Sequence, residues 1–170
     1  MKQLYFMRHG LSDMNKLGLF SGRTNTGLAP EGVEQCRNAA KTLKNIKIDV
    51  IVSSPMKRAL DSARLIADEI GYSKDKIIVD NLFMERRLGS LEGKKYIQGL
   101  DINKYDDAEH SQILIQRAKK GLKFLNMLNG DNILLVSHSA FGRALQYTID
   151  SNNKFHEIKG YQNAEIVRLI

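Results

Sequence analysis

An arginine, a histidine and a glycine, Arg8-His9-Gly10, stand directly behind the apolar run Leu4-Tyr5-Phe6-Met7. A buried strand would end there, with a cation beside an imidazole at its C-terminal lip. Open α/β sheets bind ligands at that lip. Arginine offers a planar fork of donors that suits phosphate oxygens. A neutral imidazole is a nucleophile able to form a covalent intermediate. Glycine lets backbone approach a ligand closely. A second apolar run, Ile133–Val136, ends in Ser137-His138-Ser139. A third, Ile48–Ser53, runs into Ser54-Pro55, with Arg58 just beyond. Glu85 lies in an irregular stretch after the next short strand. Two histidines, two arginines and one carboxylate at one rim would form a metal-free phosphoryl-transfer site.

The elements that must position these groups alternate. Residues 3–7 read as a strand and 11–29, rich in Gly, Ser, Asn and Thr, as a long loop. Pro30 opens a helix reaching about Lys44, since proline suits the first turn. Pro55 opens a second, with Ala59, Ala63, Leu65, Ile66 and Ile70 as its apolar stripe and Gly71 as its C-cap. Ile77–Val79 is a short strand, and 80–105 is irregular. A long helix is expected from about Ala108 to Leu128, with Ile113, Leu114, Ala118, Phe124 and Leu125 facing inward. After the strand 133–136 come a short helix, about Phe141 to Thr148, and two strands, near Lys154–Ile158 and Ala164–Leu169. Strands alternating with helices predict a central, mostly parallel sheet covered on both faces, a three-layer α/β/α sandwich.

Length and composition set the frame. The 170 residues fit a single domain, 1–170, with a full core. Hydrophobic content of 42% and charged content of 26% are ordinary for a globular chain. No apolar stretch is long enough to span a membrane, and the N-terminus runs straight into a strand without signal-peptide architecture. The single cysteine, Cys36, rules out an internal disulfide and reads as a small buried helix residue. These features predict a cytoplasmic protein with no membrane partner. The formal charge of +7 suits anionic ligands. Nucleic acid is the weaker partner, because the lysines are scattered without interleaved aromatics. No His or carboxylate spacing suggests a metal.

The ordered blocks resemble the histidine phosphatase superfamily, which includes phosphoglycerate mutase. Arg8-His9-Gly10 matches its signature, and Asn15 falls at its asparagine. Phe20-Ser21-Gly22 and Leu28 through Gly32 follow its next loop and helix start. Ser53 through Ala59 matches its second arginine motif, Leu82 through Gly93 its acid segment, and Val136-Ser137-His138 its second histidine. The resemblance implies the phosphoglycerate mutase-like fold, no cofactor and a homodimer. It implies that His9 attacks phosphorus and becomes phosphohistidine. Arg8, Arg58 and His138 would hold the equatorial oxygens. Glu85 would protonate the leaving oxygen and then activate water. Asn15, Ser21, Gly22, Arg86 and the Ser139 amide would add phosphate or substrate contacts. The His9 nitrogen that does not attack should donate to a backbone carbonyl.

Some positions depart from the pattern. Ala29 stands where Ser or Thr usually caps the helix, Gly27 for a proline, Asn25 for an aspartate, Leu19 for an arginine, and Ser139 for a glycine. Mutases carry a long insertion after the acid segment. Here about fifteen residues separate Gly93 from the helix near Ala108, and Leu88 replaces the mutase aromatic. An open pocket admits water to phosphohistidine, which favours a phosphatase of small phosphomonoesters over a phosphoglycerate mutase. A phosphoprotein substrate stays open. A catalytically weak phosphate-binding regulator is the rival from another class.

Competing roles are also weighed. Glu92 reads as a tie for the Gly-rich turn rather than the acid. Arg86 and Arg87 are surface charges or substrate contacts. Arg117 reads as structural, and His110 and His156 as exposed or locally satisfied. Ser137 and Ser139 lack a Gly-x-Ser-x-Gly elbow.

Overall fold

The computed structural model describes residues 2–152 and 154–170. Among these residues the chain forms β1 (Gln3–Arg8), α1 (Asp13–Lys16), α2 (Pro30–Ala40), β2 (Val50–Ser53) and α3 (Lys57–Ile70). There follow β3 (Ile78–Val79), α4 (Ser111–Met127), β4 (Asn132–Ser137), α5 (Ser139–Ile149) and β5 (Ile166–Arg168). One sheet runs in the order β3-β2-β4-β1-β5. The first four strands are parallel, and β5 is antiparallel to β1.

Strand alternation divides the core. Leu4 and Phe6 of β1 and Ile133 and Leu135 of β4 face α4 and α5, meeting Leu114, Ala118, Phe141 and Leu145. Met7, Ile51, Leu134 and Val136 face α2 and α3, meeting Cys36, Ala40, Ala63 and Ile66. Helices on both faces make the expected three layers. Cys36 is fully buried, as its type suggested. The alignment of the strand ends follows from register. Arg8 lies opposite Ser137 across β1 and β4, and Ser53 lies opposite Val136 across β2 and β4. His9, His138 and Ser54 therefore follow three adjacent strands at one sheet edge.

Four local expectations need correction. The segment 154–158 is no strand: Phe155–Glu157 is a 3₁₀ turn closed by Glu157 N–H donating to Lys154 O. The free edge of β1 is taken by β5. Helix α4 starts at Ser111, since Glu109 N–H donates instead to Arg87 O. Its buried stripe is Leu114, Ala118, Gly121 and Leu125, and Ile113, one residue out of phase, is 57% exposed. The loop 11–29 contains α1, whose capping box pairs Ser12 with Asn15. Helix α2 begins after Ala29 without a side-chain cap, with Pro30 in its first turn.

Candidate active site

His9 leaves β1 with its backbone N–H donating to Ser137 O, and its side chain is 3% exposed. Its Nδ1 lies 2.7 Å from Gly10 O, an acceptor only, so Nδ1 carries the proton and donates. Its Nε2 accepts from Arg58 Nε at 3.2 Å. Both contacts agree on one tautomer, with the Nε2 lone pair turned toward Arg58. Burial, then the charges of Arg58 and Arg8, hold the His9 pKa well below 6.5. The same causes, burial first, depress His138. Both imidazoles are neutral at neutral pH.

Arg58 rises from the first turn of α3 and is 1% exposed. Its Nη1 donates to Thr24 O at 2.8 Å and its Nη2 to Gly22 O at 2.7 Å. Arg8 Nη1 donates to Tyr161 O at 2.6 Å. Ser62, one turn beyond Arg58, joins the two walls: its Oγ donates to Arg58 O and accepts from Gly10 N–H. His138 ends β4 fully buried, with Nε2 2.8 Å from Ser54 Oγ. The His9 and His138 rings meet edge-on, centroids 5.2 Å apart.

Glu85 sits at the N-terminus of α5. Its carboxylate accepts from the amides of Ala140 and Phe141 at 3.3 and 3.2 Å, and from Arg86 N–H at 2.8 Å. Free amides and the helix dipole there suit a carboxylate. Its backbone is held from behind. Arg117 donates to the carbonyls of Leu82, Met84 and Glu85 and pairs with Glu109 at 2.8 Å. Arg23 Nε also donates to Glu85 O. Arg117 and Glu92 thus have the structural places expected of them, Glu92 accepting from Arg23 N–H, Thr24 Oγ1 and Leu88 N–H.

Asn15 Oδ1 accepts from Ser12 N–H and from Asn163 Nδ2, at 3.3 and 3.2 Å. Gly22 has φ 47°, and a Cβ there would stand 2.4 Å from Glu92 Oε1. One expectation is corrected. Arg86 is 5% exposed and turned away, donating to Glu109 O, Asn103 Oδ1 and Ser111 Oγ. Acceptors on the 103–111 segment satisfy its fork there and remove it from the pocket. The Ser139 hydroxyl accepts from Tyr161 N–H and braces that segment, leaving only the Ser139 backbone as a pocket candidate. His110 precedes α4 at the surface, and His156 is exposed beside Glu157.

Sequence reasoning missed Ser54, Ser62 and Asn163. Ser54 and Ser62 lie beside a singled-out motif, which was the available signal. Asn163 lies in a C-terminal stretch with no marking pattern.

Arg8 Nε, Ser21 Oγ and His138 Nδ1 are buried without a hydrogen-bond partner among the described residues. Among the described residues no group of three or more His, Cys, Asp or Glu is arranged to hold a metal ion.

A three-layer α/β/α fold with a buried histidine bonded to Arg58 and preceded by Arg8 at the edge of its parallel strands defines the class: an α/β protein with its candidate site at that edge. The chain belongs to the histidine phosphatase superfamily (branch 1), whose family model matches residues 4–170. A Hydrogenobacter thermophilus protein, provisionally named a phosphoserine phosphatase, is 38% identical over 104 residues, 61% of this chain and 50% of its own. A 2,3-bisphosphoglycerate-dependent phosphoglycerate mutase of Thermoplasma acidophilum is 41% identical over 96 residues, 56% of this chain and 46% of its own. The chain thus spans about half the length of these curated relatives. The fold is that of a mycobacterial glucosyl-3-phosphoglycerate phosphatase solved with VO3, with TM-score 0.85 at 22% identity over 99% of this chain and 92% of the other.

Proposed function

We propose that this protein is a phosphatase that hydrolyses a phosphomonoester through phosphohistidine on His9. The carrying observation is the His9 tautomer: Nδ1–H donates to Gly10 O and leaves the Nε2 lone pair between Arg58 and Arg8. Nε2 attacks phosphorus in line as the bond to the leaving oxygen breaks. Glu85 acts as the acid of this step and gives a proton to that oxygen. Arg8, Arg58, His138 and Asn15 donate to the equatorial oxygens, and Ser21, Gly22 and the Ser139 amide border them. In the second step Glu85 takes a proton from water, the water oxygen attacks phosphorus, and His9 departs with its electron pair.

Phosphatase is favoured over mutase by the segment after Gly93. Leu100, Ile102 and Tyr105 pack on the cluster of Phe20, Leu88 and Leu91. Leu88, 9% exposed, belongs to that cluster. The absence of a long insertion there supports hydrolysis, because less chain is available to enclose the phosphohistidine away from water. The reading extends to a small phosphorylated substrate, a cytoplasmic setting and a homodimer. The buried free thiol of Cys36 is compatible with a reducing compartment. Among the described residues no helix is long and apolar enough to cross a membrane.

The test is hydrolysis of 4-nitrophenyl phosphate with excess chelator, by wild type and by His9→Ala. Turnover should survive chelator and disappear in the variant, with acid-labile phosphate trapped on wild-type protein only. Equal turnover in both proteins removes His9 as nucleophile. Phosphoryl exchange between phosphoglycerates without net hydrolysis would make the protein a mutase.

A further inference from the structure

A neutral imidazole has one proton, and the nitrogen that carries it decides what the ring offers a ligand. His138 turns Nε2 toward Ser54 Oγ, 2.8 Å away, and leaves Nδ1 buried without a partner among the described residues. Were the proton on Nε2, Nδ1 would present a lone pair to phosphate oxygens, which repel it. Were it on Nδ1, the ring would donate. Ser54 decides between the two.

Ser54 is fully buried between β2 and α3. Its N–H donates to Val136 O at 3.1 Å, on the strand that carries His138. Sheet register therefore sets the distance between the two side chains. The hydroxyl oxygen already accepts from Met56 N–H at 3.3 Å. Its own proton still needs an acceptor, because a buried hydroxyl left unpaired is costly. Among the described residues the acceptor within reach is His138 Nε2.

We propose that Ser54 is a positioning residue: it donates to His138 Nε2 and so holds the imidazole proton on Nδ1, facing the phosphoryl group. His138 then acts as a neutral donor to an equatorial oxygen. The two site histidines share one tautomer with opposite ends turned inward. His9 spends Nδ1–H on Gly10 O and offers Nε2 to phosphorus. His138 ties down Nε2 and offers Nδ1–H to oxygen. The edge-on meeting of the rings fits that division. This assignment rests on the phosphoryl-transfer reading for its consequence, but not for its test.

The test is the ring ¹⁵N spectrum of histidine-labelled protein at neutral pH, with His138→Gln identifying the His138 signals. Wild type should show a protonated, pyrrole-type Nδ1 and a pyridine-type Nε2 at His138. Ser54→Ala should shift this set toward a tautomer mixture. It should also weaken orthovanadate binding about tenfold, less than the about 10²–10³-fold effect of deleting a transition-state donor. Ser54→Thr, which keeps the hydroxyl, should recover both. A pyridine-type Nδ1 in wild type overturns the proposal, as does a Ser54→Ala protein with unchanged spectrum and affinity. The wild-type spectrum is read without Ser54→Ala, so a misfolded Ser54→Ala still leaves a decision. His9-dependent turnover with the opposite His138 tautomer sinks this proposal alone. The expected tautomer without turnover sinks the phosphatase reading alone.

Discussion

Gly10 shows how little room the His9 ring has to move. Its carbonyl accepts from His9 Nδ1 and its N–H donates to Ser62 Oγ. A Cβ at this position would stand 2.5 Å from Gly32 O and 2.8 Å from Cys36 Sγ. Neither the backbone of α2 nor the packed thiol gives way easily. Gly10→Ala should lower unfolding free energy by about 1–3 kcal/mol, the usual cost of overpacking. It should also reduce kcat, because the displaced carbonyl no longer fixes the His9 tautomer. Urea unfolding and steady-state kinetics on the same preparation test both. The residue scale also explains why Arg8 and Arg86 differ. Arg86 is buried and finds a carbonyl and two side-chain acceptors on the 103–111 segment. Arg8 is half-buried, and its Nε has no partner among the described residues.

Two elements outside the recognised motifs hold the site together. The stretch before β5 clamps the end of β1. Tyr161 O accepts from Arg8, Asn163 Nδ2 reaches His9 O and Asn15 Oδ1, and Ala164 N–H donates to Arg8 O and His9 O. Ala164 adopts φ 59°, the left-handed region, to make that turn. Asn163→Ala should release the Asn15 amide and lower kcat/KM for aryl phosphate about tenfold, short of the about 10²–10³-fold loss of a direct donor. Unchanged kcat/KM would remove Asn15 from phosphate binding. Helix α4 supplies the second clamp through Arg117, whose side chain is 14% exposed and pairs with Glu109 at 7%. Arg117→Met takes the nearest cation from the buried Glu109 carboxylate, which keeps Arg23 Nη2 at 3.7 Å, and frees the carbonyls of Leu82 and Met84. It should destabilise the fold by about 3–5 kcal/mol, the range for breaking a buried pair. Thermal unfolding checks this, and a rise in Tm would mean that the pair is dispensable.

At the scale of the whole molecule, the two buried histidines couple site and stability. Their folded pKa values lie well below 6.5, mainly through burial. The unfolded chain therefore takes up protons first as pH falls. Stability should be full above about pH 6.5 and decline below it, by up to about 1.4 kcal/mol per pH unit for each ring. Urea unfolding between about pH 7 and 5 measures this. His138→Gln should lose one ring's share of the acid slope, and an unchanged slope would mean that His138 is protonated in the folded protein. The site is thus folded around neutral imidazoles, the state that the proposed attack by His9 and the proposed donation by His138 require.

The parallel sheet, its two covering layers and the strand-end placement of Arg8, His9 and His138 were legible in the sequence. Apolar runs that stop abruptly at chemistry-bearing residues leave few other arrangements. Arg58 and Glu85 were legible as motif members, because their place relative to those strand ends is set by short connections. Only tertiary structure decided the rest. It turned Arg86 into a staple, gave the free edge of β1 to 166–168 rather than 154–158, and brought Asn163 to His9 and Ser54 to His138. Each outcome depends on which backbone carbonyl, strand edge or side chain arrives from a distant part of the chain. Local sequence sets which groups are offered; long-range packing sets which partner each one meets.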